Sequence, residues 1–197
     1  MSYQYQRPFS FFFVRHGVTD LNFRGLRCGG DIDVPLTDIG CDQSYMLAKQ
    51  IKQMELGIDR IRCGSLIRVR QTALIISGVL GGLPIDIDAT LNERAIGEWN
   101  RRPIAETEQL IAQKITPAGG ESEEEFGARI SNALAAISTQ RAHRPLVVSS
   151  KGVGRLLNTL LNGEGRMQVA NSELVEFSVA ADAKGAPALT VRRLTAV

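Results

Sequence analysis

The sequence predicts a three-layer α/β fold, with a largely parallel central sheet covered by helices on both faces. Two observations carry this. Short apolar runs alternate with stretches of helical periodicity from one end of the chain to the other. The runs at 9–14 and 146–149 are continuously apolar or small rather than alternating, as expected of strands buried on both faces. A chain of 197 residues that is 44% hydrophobic can fill one core. No linker, repeat or low-complexity segment interrupts it. Residues 1–197 therefore read as one domain, with a small lid insertion at about 100–118.

Taken in order, 9–14 is the first strand. Residues 37–54 are a helix, with Leu47, Ile51 and Met54 on one face and Thr37 able to cap its start. Residues 58–63 are a second strand. A helix at 66–80 is closed by Gly81-Gly82, a plausible C-terminal stop. Residues 85–87 are short and strand-like. Helices follow at 106–115 and 123–137, the second with Phe126, Ile130, Leu134 and Ile137 inward. The acids Glu121, Glu123, Glu124 and Glu125 are best read as a helix start, since Ser122 and Glu125 fit a capping box. Pro145 precedes the strand 146–149, and a helix at 153–161 follows. Residues 174–179 and 189–194 complete the sheet, with Arg192 and Arg193 marking an edge strand.

Composition excludes several functions. Net charge is +2 with the two signs interspersed, so nucleic acid and membrane are not expected partners. Cys28, Cys41 and Cys63 are too few and too scattered for a disulfide framework or a zinc site. They suit a reduced, cytoplasmic protein. No stretch reaches the ~20 apolar residues that span a bilayer. Residues 1–8 lack the layout of a signal peptide.

In a parallel α/β sheet, ligands bind at the carboxyl ends of the strands. Arg15 and His16 follow the first strand there, and Ser65 and Arg68 follow the second. Ser149, Ser150 and Lys151 follow the strand before Gly152, and Glu93 lies beyond 85–87. One crevice can gather them all. The types suit phosphoryl transfer from a monoester. Guanidiniums match a phosphate dianion in charge and fork geometry. An imidazole can attack phosphorus, and a carboxyl group can protonate the leaving oxygen. Arg15 and Arg68, His16 and Glu93 supply these parts, and backbone N–H groups at the helix start near Ser65 could add donors. The scheme needs no metal or cofactor.

Five segments then carry a resemblance. Arg15-His16-Gly17-Val18-Thr19-Asp20-Leu21-Asn22 matches RHGxTxxN, and Asp33-Val34-Pro35-Leu36-Thr37-Asp38-Ile39-Gly40 matches DxPLTxxG. Ser65-Leu66-Ile67-Arg68-Val69-Arg70-Gln71-Thr72-Ala73 matches SxxxRxxQTA. Leu91-Asn92-Glu93-Arg94-Ala95-Ile96-Gly97-Glu98-Trp99 matches LxExxxGxW, and Gly119-Gly120-Glu121-Ser122 matches GGES. In this order they resemble the histidine phosphatase superfamily, the phosphoglycerate-mutase-like enzymes. The resemblance implies that His16 is phosphorylated and then hydrolysed, and that Glu93 is general acid and then base. It implies that Arg15, Arg68 and Asn22 grip the phosphate with Thr19 beside them, and that the Gly17 carbonyl orients the imidazole.

One segment departs. Where the family has SHGG after the late strand, this chain has Ser149-Ser150-Lys151-Gly152, so Ser150 takes the place of the second histidine. Loss of one preorganised donor typically costs ~100- to 1000-fold in rate. Lys151 is the candidate to restore the charge. Arg94, Arg101 and Arg102 form a basic group near Glu93, with Arg94 and Arg102 as candidate substrate contacts. His143 reads as a surface residue and Trp99 as core. The loop 100–118 and the tail after Gly163 are expected to shape the outer pocket.

Three functions follow. The first is a phosphomonoesterase acting on a small phosphorylated metabolite, slowed by Ser150. The second is a phosphate-binding pseudoenzyme. The third is a mutase, disfavoured because the lid insertion is small.

Overall fold

In the computed structural model, residues 8–140, 143–161, 167–181 and 187–195 are described. The strands are β1 (Phe9–Arg15), β2 (Arg60–Cys63), β3 (Ile85–Ile87), β4 (Pro145–Ser149), β5 (Leu174–Ala181) and β6 (Pro187–Arg193). They form one sheet in the order β3-β2-β4-β1-β5-β6. The first four in that order are parallel, while β5 and β6 are antiparallel additions. The helices are α1 (Asp20–Phe23), α2 (Asp38–Gln53), α3 (Ile67–Val79), α4 (Ile104–Ala112), α5 (Glu123–Thr139) and α6 (Lys151–Leu160). This is the mixed α/β architecture that the alternation predicts.

β1 shows why the layers form. Successive side chains on a strand point to opposite faces. Phe11 and Phe13 join Phe126, Ile130, Val147, Leu157 and Phe177 on one side of the sheet. Phe12 and Val14 join Leu47, Ile51, Ile61, Ile76 and Val148 on the other. All four β1 side chains are fully buried, each contributing about 1.5–3 kcal/mol. A strand that is apolar on both faces can only sit inside.

Boundaries shift where local chemistry outweighs periodicity. Helix α4 begins at Ile104, two residues before the predicted start, because Pro103 occupies its N-cap. Helix α6 begins at Lys151, two residues before the predicted start, and Ser150 holds its N-cap position without a side-chain cap bond. The four-residue α1 is too short to carry a period, and a Thr19/Asn22 capping box makes it. Ser122 and Glu125 form the predicted capping box of α5, Gly81 and Gly82 adopt positive φ after α3, and β6 is the predicted edge. Trp99 is 2% exposed and belongs to the core. All three cysteines are free thiols. Among the described residues, no helix is long and apolar enough to cross a membrane.

Ile130 of α5 is fully buried, whereas Ile39 of α2 is 57% exposed. In urea denaturation Ile130→Ala should cost about 2–5 kcal/mol, and Ile39→Ala should stay within about 0.5 kcal/mol. Equal losses would contradict this assignment of the core.

Candidate active site

The parallel register brings the reactive residues together. Arg15 of β1 lies opposite Ser149 of β4, and the His16 N–H donates to the Ser149 carbonyl at 2.9 Å. His16 and Ser150 thus leave adjacent strands at the same level. The chain turns sharply after His16. A Cβ on Gly17 would lie 2.3 Å from the Gly40 carbonyl oxygen, so a glycine is required where this loop crosses α2. The Gly17 N–H donates to Thr72 Oγ1 on α3 at 3.1 Å.

His16 is 4% exposed, and its Nδ1 lies 2.8 Å from the Gly17 carbonyl. A carbonyl only accepts, so Nδ1 carries the proton and Nε2 keeps a lone pair. Burial pushes the imidazole pKa well below its usual value, and Arg68 and Arg15 push it further. The ring is therefore neutral at pH 7.

Among the described residues, the two arginines have no carboxylate partner. Arg68 is fully buried, donating from Nη2 to the Gly29 carbonyl at 2.9 Å and from Nη1 to the Ile32 carbonyl at 3.2 Å. Arg15 Nη1 donates to the Val169 carbonyl at 3.1 Å. Burial lowers the Arg15 pKa, Arg68 adds to this, and Glu93 opposes it. Among the described residues, neither Nε finds a partner, nor do Arg94 Nη2 and Ser150 Oγ. Each such buried group costs about 1–3 kcal/mol. Two of them, Arg15 Nε and Arg94 Nη2, belong to residues that line one cavity, which suits an anion.

Glu93 lines the same cavity as His16. Its carboxylate accepts the Arg94 N–H at 2.9 Å and the Gly152 N–H at 2.8 Å. A Cβ on Gly152 would lie 2.1 Å from Glu93 Oε1, so this glycine makes room for the carboxylate on the first turn of α6. Arg129 of α5 fastens the same strap. It donates to the carbonyls of Thr90 and Asn92 at 2.8 Å and of Glu93 at 3.1 Å. Its other N–H groups hold Glu121 at 2.8 and 2.7 Å. All five guanidinium donors are used.

A cavity of about 170 Å³ opens over these groups. Arg15, His16, Asn22, Glu93, Arg94 and Lys151 line it. Lys151 thus faces the cavity. Burial lowers its ammonium pKa, with Arg15 adding to the shift and Glu108 opposing it. Asn22 lines the wall while its Oδ1 accepts the Thr19 N–H at 3.3 Å. Arg68 and Ser150 are buried and do not line the open space.

Some expectations are corrected. Thr19 is fully buried and spends its hydroxyl on capping α1, so it positions Asn22 rather than lining the cavity. Arg102 pairs with Glu106 at 3.5 Å on the exposed surface, because both lie one turn apart at the start of α4. The helix start near Ser65 is closed to an anion: Asn92 Oδ1 accepts the Ser65 N–H and Asp33 Oδ1 the Ile67 N–H, both at 2.7 Å. His143 is half-exposed beside Asp59, with Nδ1 2.6 Å from Oδ2.

Other residues were not read from the sequence. Arg27 lines the cavity and ties the lid, donating to Thr107 Oγ1 at 2.6 Å and Glu108 at 2.9 Å. Arg155 lines it one helical turn beyond Lys151, a spacing that could have been noticed once 151 was placed at a helix start. Asn171 Nδ2 donates to the His16 carbonyl at 2.8 Å. From the tail after Gly163, residues 164–166, 182–186, 196 and 197 lie outside the described residues, and Gln168 lines the cavity.

A parallel sheet that brings a neutral histidine, the Arg15 guanidinium and a carboxylate to one cavity, with the buried Arg68 behind His16, suits a phosphoryl-transfer class of protein. Residues 11–184 match the model of the histidine phosphatase superfamily (branch 1), and the chain belongs to that family. A probable phosphoglycerate mutase, GpmB of Yersinia pestis, is 34% identical over 179 residues, covering 83% of this chain and 81% of the relative. The solved structure of a putative α-ribazole-5'-P phosphatase from Escherichia coli superposes with a TM-score of 0.74 at 25% identity, over 95% of this chain and 96% of that one. A mycobacterial glucosyl-3-phosphoglycerate phosphatase shares the fold, with a TM-score of 0.75 at 22% identity, over 95% of this chain and 98% of that one.

The state of His16 gives a pH dependence. Above pH ~6.5 the imidazole is neutral in both folded and unfolded chains and contributes nothing. Below it the unfolded chain takes up a proton that the folded site refuses, so stability falls as pH falls. The slope reaches at most about 1.4 kcal/mol per pH unit. His16→Asn should flatten the decline between pH 6.5 and 5.5 in urea titrations. An unchanged slope would contradict a neutral, buried His16.

Proposed function

We propose that this chain is a metal-independent phosphomonoesterase that works through a phosphohistidine on His16. One observation carries the reading: a neutral imidazole with a free Nε2 lies beside two guanidiniums, Arg68 buried and Arg15 partly so, that have no carboxylate partner among the described residues. Arg15 and Arg68 hold the phosphate dianion, with Asn22 and the Ser150 hydroxyl as neutral donors. His16 Nε2 attacks phosphorus, and the bond to the leaving oxygen breaks. Glu93 gives that oxygen its proton. Its carboxylate then takes a proton from the water that hydrolyses the phosphohistidine.

Glu93 must enter this cycle protonated. The two backbone N–H groups on Glu93 fix its position in either state. Lys151 restores to the cavity part of the charge that Ser150 lacks, and its place beside Arg15 supports this role. Arg94, nearly buried with one unpartnered nitrogen, is the candidate contact to the leaving group.

Turnover is favoured over mere binding. A pseudoenzyme has no use for an oriented imidazole and a strapped carboxylate facing one cavity. Similarity to a probable phosphoglycerate mutase keeps a second reading, return of the phosphoryl group to another substrate oxygen. The lid argues for hydrolysis: its only helix is nine residues long, and a mutase must keep water from its intermediate. We read the chain as one domain with this lid, acting on a small phosphorylated metabolite in the cytoplasm, where its three free thiols would stay reduced.

Leaving-group dependence tests the proposal. Glu93→Gln should cut hydrolysis of glycerol 3-phosphate by about 100-fold or more. It should cost far less on 4-nitrophenyl phosphate, whose phenolate leaves without a proton. An alkaline quench within one turnover of the wild type should trap phosphate on His16. Folded protein with no hydrolysis and no trapped phosphohistidine would overturn the reading.

A further inference from the structure

Asn171 lies outside every motif, in the turn before β5, yet it touches the nucleophile's segment twice. Its Nδ2 donates to the His16 carbonyl at 2.8 Å and to Asn22 Oδ1 at 3.3 Å. An amide nitrogen carries two hydrogens, so both are spent. The turn is built against β1. The Ser172 N–H donates to the Arg15 carbonyl at 2.9 Å, and Arg15 Nη1 donates back to the Val169 carbonyl at 3.1 Å. Buried Glu173 secures the turn: its carboxylate accepts the Ala170 N–H at 2.7 Å and pairs with Arg193 of β6. Ser172 adopts a φ of 54°, uncommon for a residue with a side chain.

These contacts set orientations one after another. A backbone carbonyl only accepts, so the His16 carbonyl makes Asn171 present its NH2 and not its oxygen. The second hydrogen of that NH2 meets Asn22, which must answer with Oδ1. The Thr19 N–H makes the same demand on Oδ1 at 3.3 Å. Both lone pairs of that oxygen are then filled. The Asn22 NH2 is left over, and among the described residues it has no partner. Asn22 lines the cavity beside Arg15 and His16, whereas Asn171 does not. Turned the other way, the Asn22 side chain would set an acceptor oxygen against a phosphate dianion. The Thr19 bond is long, and Asn22 belongs to a four-residue helix too short to hold its own geometry.

On the phosphatase reading, we infer that Asn171 is a positioning residue. It keeps the Asn22 amide turned so that an N–H donor, and not an oxygen, meets the phosphate. It acts through Asn22 and touches no substrate itself.

Calorimetric titration with inorganic phosphate tests this without requiring turnover. Asn171→Ala should weaken phosphate binding by about tenfold, and Asn22→Ala by a similar factor. Because one residue acts through the other, the double variant should lose no more than Asn22→Ala alone, and not the about hundredfold of two independent losses. With 4-nitrophenyl phosphate the effect of Asn171→Ala should fall on KM, with kcat within about threefold of wild type. Asn171→Asp keeps the shape of the side chain and removes both donors, and should bind phosphate no better than Asn171→Ala. Unchanged affinity in Asn171→Ala, losses that add in the double variant, a loss confined to kcat, or wild-type affinity in Asn171→Asp would overturn the inference alone. A wild-type protein that binds no inorganic phosphate would overturn the phosphatase reading with it.

Discussion

Among the described residues, the His16 ring is held by one hydrogen bond, from Nδ1 to the carbonyl of its own neighbour, Gly17. That bond sets the tautomer and aims Nε2 away from the backbone. It exists because the chain can turn where Gly17 passes within contact distance of Gly40 and Thr72. Helices α2 and α3 therefore hold the imidazole as firmly as β1 does. Burial then keeps the ring neutral, with the guanidiniums of Arg68 and Arg15 adding to the effect. Everything proposed for the site rests on that state, since a protonated ring has no lone pair to attack with.

The surrounding charge is arranged for a visitor. Arg15 and Arg68 lean on backbone carbonyls, which orient them without neutralising them. The nearest acid, Glu93, is held by backbone N–H groups and does not pair with either. The strap that carries it is anchored from behind by Arg129 and Glu121. A free carboxylate within reach would fold onto an arginine and occupy the place of the phosphate. Anchoring Glu93 prevents this while leaving it facing the cavity.

The sheet and its main helices were legible because burial writes a strong pattern. β1 is apolar on both faces, and α5 repeats Phe126, Ile130, Leu134 and Ile137 on one face. His16, Arg68 and Glu93 were legible because strand ends and motif order place them together. Positions set by side chains from distant segments were not. Arg27 reaches the lid across eighty residues of sequence and Arg129 reaches the Glu93 strap across thirty-six, and no local period announces either. Thr19 and Arg102 were misread for the opposite reason: local partners, Asn22 and Glu106, claim them first. The helix start at Ser65 looked open only because Asn92 and Asp33, which cap it, come from other loops.

The imidazole nitrogens can be observed directly. In protein labelled with ¹⁵N at histidine, long-range proton–nitrogen spectra of the ligand-free chain report the tautomer of His16 against pH. The account predicts a protonated Nδ1 and a bare Nε2 from pH 8 down to below 6, with no movement through the usual histidine range. A His16 that is doubly protonated at pH 6, or that carries its proton on Nε2, would contradict the account at its foundation.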